Sequence, residues 1–165
     1  MIDISKPTVT INLAEFTAPR DVITRMRLFN FGPYAYIFNH LKIPMKIGES
    51  ANRGTTPGDR LYRQAGHIFG WETPLISGAG MDMKEVVSAF EKAYGLTVHK
   101  DNVTIAVYDA EPLIRYYGDS ASKYAETQLM NQYQKLHNNL PIGNFKDTRL
   151  FGHCTMFTAL FDIEN

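Results

Sequence analysis

The stretch GPYAYIFNHLKIPMKIGESANRGTTPGDRLYRQ, from Gly32, constrains the fold of this chain more than any other. Residues 34–38 alternate, with Tyr34, Tyr36 and Phe38 on one side and Ala35 and Ile37 on the other, which is the period of a β-strand. A tight return over 39–43 leads into a second short strand, 45–47, closed by Gly48. A polar loop rich in Gly and Thr follows, and a helix is predicted from Pro57. Thr56 is a suitable N-cap, Pro57 fits the first helical position, and Asp59 lies in the first turn, where the helix dipole favours an acid.

That helix has two distinct faces. Leu61, Ala65 and Ile68 fall at i, i+4 and i+7 and form a stripe for burial. Arg60, Gln64 and His67 repeat the spacing on another face, with Arg63 one turn from Arg60. On the residues alone, two readings stand side by side. Arg60 and Arg63 are solvated helix charges and Tyr34 a half-buried strand aromatic, or these groups converge on one anionic ligand. Arg suits the second task, because its planar fork of donors matches a phosphate.

Gly32-Pro33-Tyr34, then Lys46-Ile47-Gly48 after a hairpin, then Arg60 at a helix start, resembles the GIY-YIG nuclease family. Pro33 stands where the family has a middle Ile, and Lys46 where it has the Tyr that opens the second half-signature. Some restriction-enzyme members also carry Lys there. Gln64 lies where many members keep a His. Ala125-Glu126, followed by Leu140-Pro141-Ile142-Gly143-Asn144, resembles the family's metal-binding Glu on a late helix and its Asn after a Pro-containing turn.

The resemblance implies a metal-dependent DNA endonuclease. Glu126 would hold one Mg2+ (or Mn2+), and a single carboxylate is chemically sufficient because magnesium keeps several waters. Tyr34, helped by Lys46, would orient and deprotonate the attacking water. Both have unperturbed pKa values near 10, so a nearby charge must lower one of them. Arg60 would bind the non-bridging oxygens as charge builds up. Tyr36, His40, Gln64, His67 and Asn144 are candidates to assist, and Lys42, Arg53 and Arg63 to contact double-stranded DNA. One site per chain implies a homodimer or sequential nicking for cutting both strands. The alternative is a catalytically inactive module of the same fold that binds nucleic acid or protein.

The remaining chain reads as scaffold. Residues 8–13 alternate as an edge strand, and 20–27 form a short helix with Val22, Ile23 and Met26 on its apolar side. The segment 66–80, with Trp71 and four glycines, reads as a structured loop. Gly78-Ala79-Gly80 lacks the third glycine and the preceding strand of a phosphate-binding loop. Asp82 and Glu85 make a capping-box-like start to a helix with Val86, Phe90, Ala93 and Tyr94 on one face, ended by Gly95. Val103, Ile105 and Val107 alternate in the next strand. A long helix over 120–137, capped by Asp119, has Ala125, Leu129, Tyr133 and Leu136 as its stripe, with Glu126, its only acid, at the margin. A last strand is expected over 155–162, and His153 and Cys154 point to opposite faces of it.

These elements define an α/β chain of α+β type. Three core antiparallel strands are flanked by helices and extended by N- and C-terminal strands. A single domain is expected over 1–165, with the family-like core at about 30–145 and extensions at 1–29 and 146–165. Seventeen basic and 17 acidic residues cancel, so nucleic-acid binding would need a local basic patch. The one cysteine excludes an internal disulfide and a multi-thiolate zinc site. With no signal-peptide or membrane-span pattern, a soluble cytoplasmic protein is expected.

Overall fold

The computed structural model describes residues 1–29, 32–51, 59–70 and 83–144, with Asp59 and Arg60 described by backbone alone. The elements are β1 (Val9–Asn12), α1 (Asp21–Arg27), β2 (Tyr34–His40), β3 (Ile43–Ser50), α2 (Asp59–Ile68), α3 (Met83–Tyr94), β4 (Val103–Asp109), α4 (Ile114–Tyr117) and α5 (Ala121–His137). The class is α+β. The sheet has four antiparallel strands in the order β1-β4-β2-β3, so the expected three-stranded core is present with the N-terminal strand added to it. The expected strand over 155–162, the cap at Thr56, the capping residue Asp82 and Trp71 lie outside the described residues.

Alternation on the central strand divides the core into two layers. Tyr34, Tyr36 and Phe38 share one buried cluster with Val22 and Met26 of α1, Leu61 and Ala65 of α2, and Val86 and Phe90 of α3. Ala35 and Ile37 share the other with Ala121, Ala125, Leu129 and Tyr133 of α5. Small residues on one face and rings on the other let a single long helix lie close on the first. The second face holds three helices.

One irregularity shapes β3. Phe38 pairs with Lys46 and Asn39 with Pro44, which leaves Met45 as an extra residue in a bulge. Two residues apart on a regular strand point the same way. Here Met45 enters the three-helix layer and Ile47 the α5 layer, because the bulge resets the alternation. The hairpin loop is only Leu41 and Lys42. Leu41 takes a left-handed conformation (φ 56°) and donates its N–H to the Asn102 carbonyl at 2.7 Å.

Helix α5 departs from its sequence pattern at both ends. Its N-cap is Ser120, not Asp119, and the Ser120 side chain makes no capping bond. A 3-10 turn, Gly118–Ser120, runs straight into the helix, and the Ala121 N–H reaches the Gly118 carbonyl, so the chain is already coiled where a cap would act. At the other end Leu136 is exposed, while the Tyr133 ring lies 4.3 Å from that of His137. The buried stripe stops at Tyr133. Asn138, at φ 61°, terminates the helix.

The first residues of the chain pack on α5 and β4. Gln128 accepts from the Ile2 N–H at 2.8 Å, Gln132 accepts from the Ile4 N–H and donates to the Ile2 carbonyl, and the Tyr108 hydroxyl donates to the Ile4 carbonyl at 2.7 Å. The chain start is thus strapped along one flank of α5. Among the described residues, no helix is long and apolar enough to cross a membrane.

Candidate functional site

The groups of chemical interest gather along the outer edge of β3. Tyr36, on the central strand, pairs directly with Gly48 of β3. The position a Gly48 Cβ would occupy is taken by the Tyr36 hydroxyl and the adjoining ring carbons. Glycine therefore lets the ring lean across β3, and its hydroxyl end is directed away from the sheet centre towards the edge. Lys46 pairs with Phe38, so it sits on the same face one diagonal step from Tyr36. The rings of Tyr34, Tyr36 and Phe38 form a row, with centroids 6.2 and 5.7 Å apart, that fixes the lean.

Asn144 closes that edge. In the short 3-10 turn Ile142–Asn144, its amide oxygen accepts from the Ile47 N–H at 2.8 Å, and its amide nitrogen donates to the Ile47 carbonyl, also at 2.8 Å. One side chain thus supplies what a fifth strand would supply at this point of the ladder. The turn approaches so closely that a Cβ on Gly143 would lie 2.7 Å from the Met45 carbonyl oxygen and 2.8 Å from the Lys46 Cβ. Asn144 was expected to assist chemistry. Both ends of its amide are engaged with the Ile47 backbone.

Glu126 reaches this edge from the other layer. On α5, Gln128 and Gln132 hold the N-terminal strap on one flank. Met130 lies on the opposite flank, its sulfur 3.7 Å from the Asn144 amide nitrogen. Glu126 is one turn before Met130 and shares its flank, so it is half-buried on the side of α5 that faces β3 and the 142–144 turn.

The other predicted site residues divide by position. Tyr34 is fully buried in the three-helix layer, opposite Ser50 and Asp109, whereas Glu126 belongs to the helix on the opposite face. Tyr34 and Glu126 are therefore not brought together through the sheet. Lys46, the 142–144 turn and the Met130 flank of α5 meet at one edge, and Tyr36, in the same layer as Tyr34, leans over Gly48 towards it. His40 is at the far end of β2, six residues from Tyr34, or roughly 20 Å along a strand. It is buried against Phe90, with ring centroids 5.7 Å apart, and among the described residues neither ring nitrogen has a hydrogen-bond partner. Burial pushes its imidazole below the usual value, opposed in part by the Glu91 charge. A group so enclosed and so distant serves the core and not the edge.

Gln64 is also buried, so the buried surface of α2 is wider than its apolar spacing predicts, and its amide oxygen has no hydrogen-bond partner among the described residues. His67 and Arg63 are half-buried on the same helix. Lys42 is exposed at the hairpin tip, on the His40 end of the sheet. Arg60 begins α2, whose Leu61 and Ala65 pack in the layer of Tyr34 and Tyr36, and its side chain is outside the described residues, as is Arg53 entirely.

The donor set suits one kind of metal. Among the described residues no three His, Cys, Asp or Glu side chains cluster. A zinc site of several protein ligands is therefore not formed by them. Glu126 is half-buried, and one carboxylate would be enough for a hard cation that keeps most of its waters, as Mg2+ does. Comparison with known protein families, with curated proteins and with solved structures finds no match to this chain.

Proposed function

We propose that this chain is a metal-dependent DNA phosphodiesterase whose working groups gather at the outer edge of β3. The observation that carries the reading is the lean of Tyr36 over Gly48, which aims a phenol hydroxyl at the edge shared by Lys46 and the Glu126 flank of α5. Tyr36, adjoining Lys46, would take the role that the family resemblance implies for Tyr34. Glu126 would hold Mg2+ or Mn2+, and the bound ion would supply charge neutralisation at the phosphate and at the leaving oxygen.

The chain's own groups do the rest. Tyr36, as a phenolate favoured by the neighbouring Lys46 ammonium, would orient the attacking water and take up its proton. Arg60, in the first turn of α2, would bind the non-bridging oxygens as their charge grows. Lys42, Arg53 and Arg63 would meet the backbone of duplex DNA at sites beyond the scissile phosphate. Two chains, each with one such site, would cut both strands as a homodimer, and the cytoplasm is the compartment this reading assigns.

One observation favours a second reading, a module of this architecture that binds but does not cut. Tyr34 and Tyr36 are both at 0 % exposure, which restricts access of a substrate to either hydroxyl, and the chain carries no net charge. Supercoiled plasmid incubated with the protein and Mg2+ or Mn2+ separates the two. Nicking that disappears in Glu126→Ala and Lys46→Ala, with folding intact, supports the enzyme. Plasmid retained on the protein without cleavage in either metal supports the module.

A further inference from the structure

Away from the β3 edge, the junction of α4 and α5 carries three tyrosines that the core does not use. Tyr116, Tyr117 and Tyr124 are 65 %, 39 % and 44 % exposed. Tyr117 and Tyr124 are stacked at 3.7 Å with 16° between their planes, and the Tyr116 ring lies 6.3 Å from that of Tyr117. Cations alternate with the rings. The Arg115 guanidinium lies 4.6 Å from the centre of the Tyr116 ring, and Lys123 precedes Tyr124, both exposed.

Burial does not explain this arrangement, because the rings remain in water. Backbone geometry holds it instead. Gly118 adopts φ 53° and ψ −127°, a conformation essentially closed to residues with a Cβ, and that bend folds Tyr117 back onto Tyr124. A glycine-only hinge thus presents a row of aromatic faces with a guanidinium over the Tyr116 ring, and the exposed Lys123 adjoins Tyr124 in sequence.

We propose that this row is a binding platform for single-stranded nucleic acid. Bases stack on phenol rings regardless of sequence, and Arg115 and Lys123 pair with the phosphates between them. The charge around the rings selects a single strand over a duplex. Segment 111–124 carries two acids, Glu111 and Asp119, against two bases, Arg115 and Lys123, so it has no net positive charge to hold a paired polyanion, and affinity must come from exposed base faces that a duplex conceals. Tyr124 and Glu126 lie two residues apart on different sides of α5, so a strand held here passes within about 10 Å, one helix width, of the β3 edge. The platform does not depend on the phosphodiesterase reading, since it acts through binding alone.

The test is fluorescence anisotropy of a labelled oligothymidylate with the full chain in EDTA, which silences any metal-dependent cutting. Wild-type protein is expected to bind the single strand more tightly than a duplex of the same length. Tyr117→Ala with Tyr124→Ala should weaken the single strand roughly 10- to 100-fold, whereas the two Phe variants, which keep the rings, should stay within about threefold of wild type. Arg115→Ala with Lys123→Ala should flatten the salt dependence. No binding of the oligothymidylate at low salt, or equal binding by the alanine variant, overturns the proposal. A change in sedimentation of the alanine variant without a change in oligonucleotide affinity also overturns it, and marks the rings as a protein-docking surface.

Discussion

The Tyr36 hydroxyl occupies the space that a side chain at Gly48 would need. The two residues are cross-strand partners, and the direction of the phenol depends on the absence of a single methyl group. Gly48→Ala is therefore expected to force either the ring or the strand to move. Overpacking of this kind costs about 1–3 kcal/mol. A urea melt should show that loss, and near-ultraviolet circular dichroism should report the displaced tyrosine. Gly48→Ala protein with wild-type stability and spectrum would mean that the ring has room elsewhere.

Asn144 and Ile47 make the second prediction. Replacing Asn144 with Ala removes a donor and an acceptor from a partly buried backbone pair, at roughly 1–3 kcal/mol. Asn144→Asp keeps the acceptor for the Ile47 N–H but sets a carboxylate against the Ile47 carbonyl, so it should be no better than Ala at neutral pH. Hydrogen exchange locates the effect. The Ile47 amide should lose protection in both variants, while Ile37, deeper in the sheet, should keep its own. Unchanged exchange at Ile47 would show that Asn144 does not guard the edge.

His40 supplies a pH dependence. Burial lowers its folded-state pKa below the value near 6.5 expected in the unfolded chain. The unfolded state therefore binds more protons as the pH falls below about 6.5, and stability falls with it. The contribution is complete above the unfolded pKa and is lost progressively on acidification towards the depressed folded value. Melting temperatures measured from pH 7.5 down to 5 should decline. His40→Leu should flatten that decline and be neutral or stabilising at pH 7.5, because the two ring nitrogens it removes have no hydrogen-bond partner among the described residues. A decline of the same steepness in His40→Leu would assign it to other groups.

How far the sequence could be read depends on the range of the interaction concerned. Tyr34, Tyr36 and Phe38 against Ala35 and Ile37 is a period-two pattern set by local geometry, and it placed the central strand and both its layers correctly. Val86 and Phe90 did the same for α3, and Gly95 for its end, where φ is 64°. The bulge at Met45 was not legible, because register depends on the partner strand and not on the strand itself. Leu136 follows the helical spacing of Ala125 and Leu129 yet is exposed, because spacing along a helix does not say what lies opposite each turn. For the candidate site, Lys46, Glu126 and Asn144 were picked out individually. That Tyr36 and not Tyr34 adjoins Lys46 follows only from the cross-strand pairing with Gly48. The pairing of Asn144 with a strand edge joins residues 97 positions apart, a separation at which neither spacing nor propensity carries information.

Nicking of supercoiled plasmid by Tyr36→Phe in Mg2+ is the most direct measure of the edge site, because it deletes one oxygen and leaves the ring that packs on Gly48. The account predicts a rate about 10²- to 10⁴-fold below wild type, the range for losing a group that handles the proton of the attacking water, with the melting temperature preserved. Tyr36→Phe protein that nicks plasmid at the wild-type rate would contradict it.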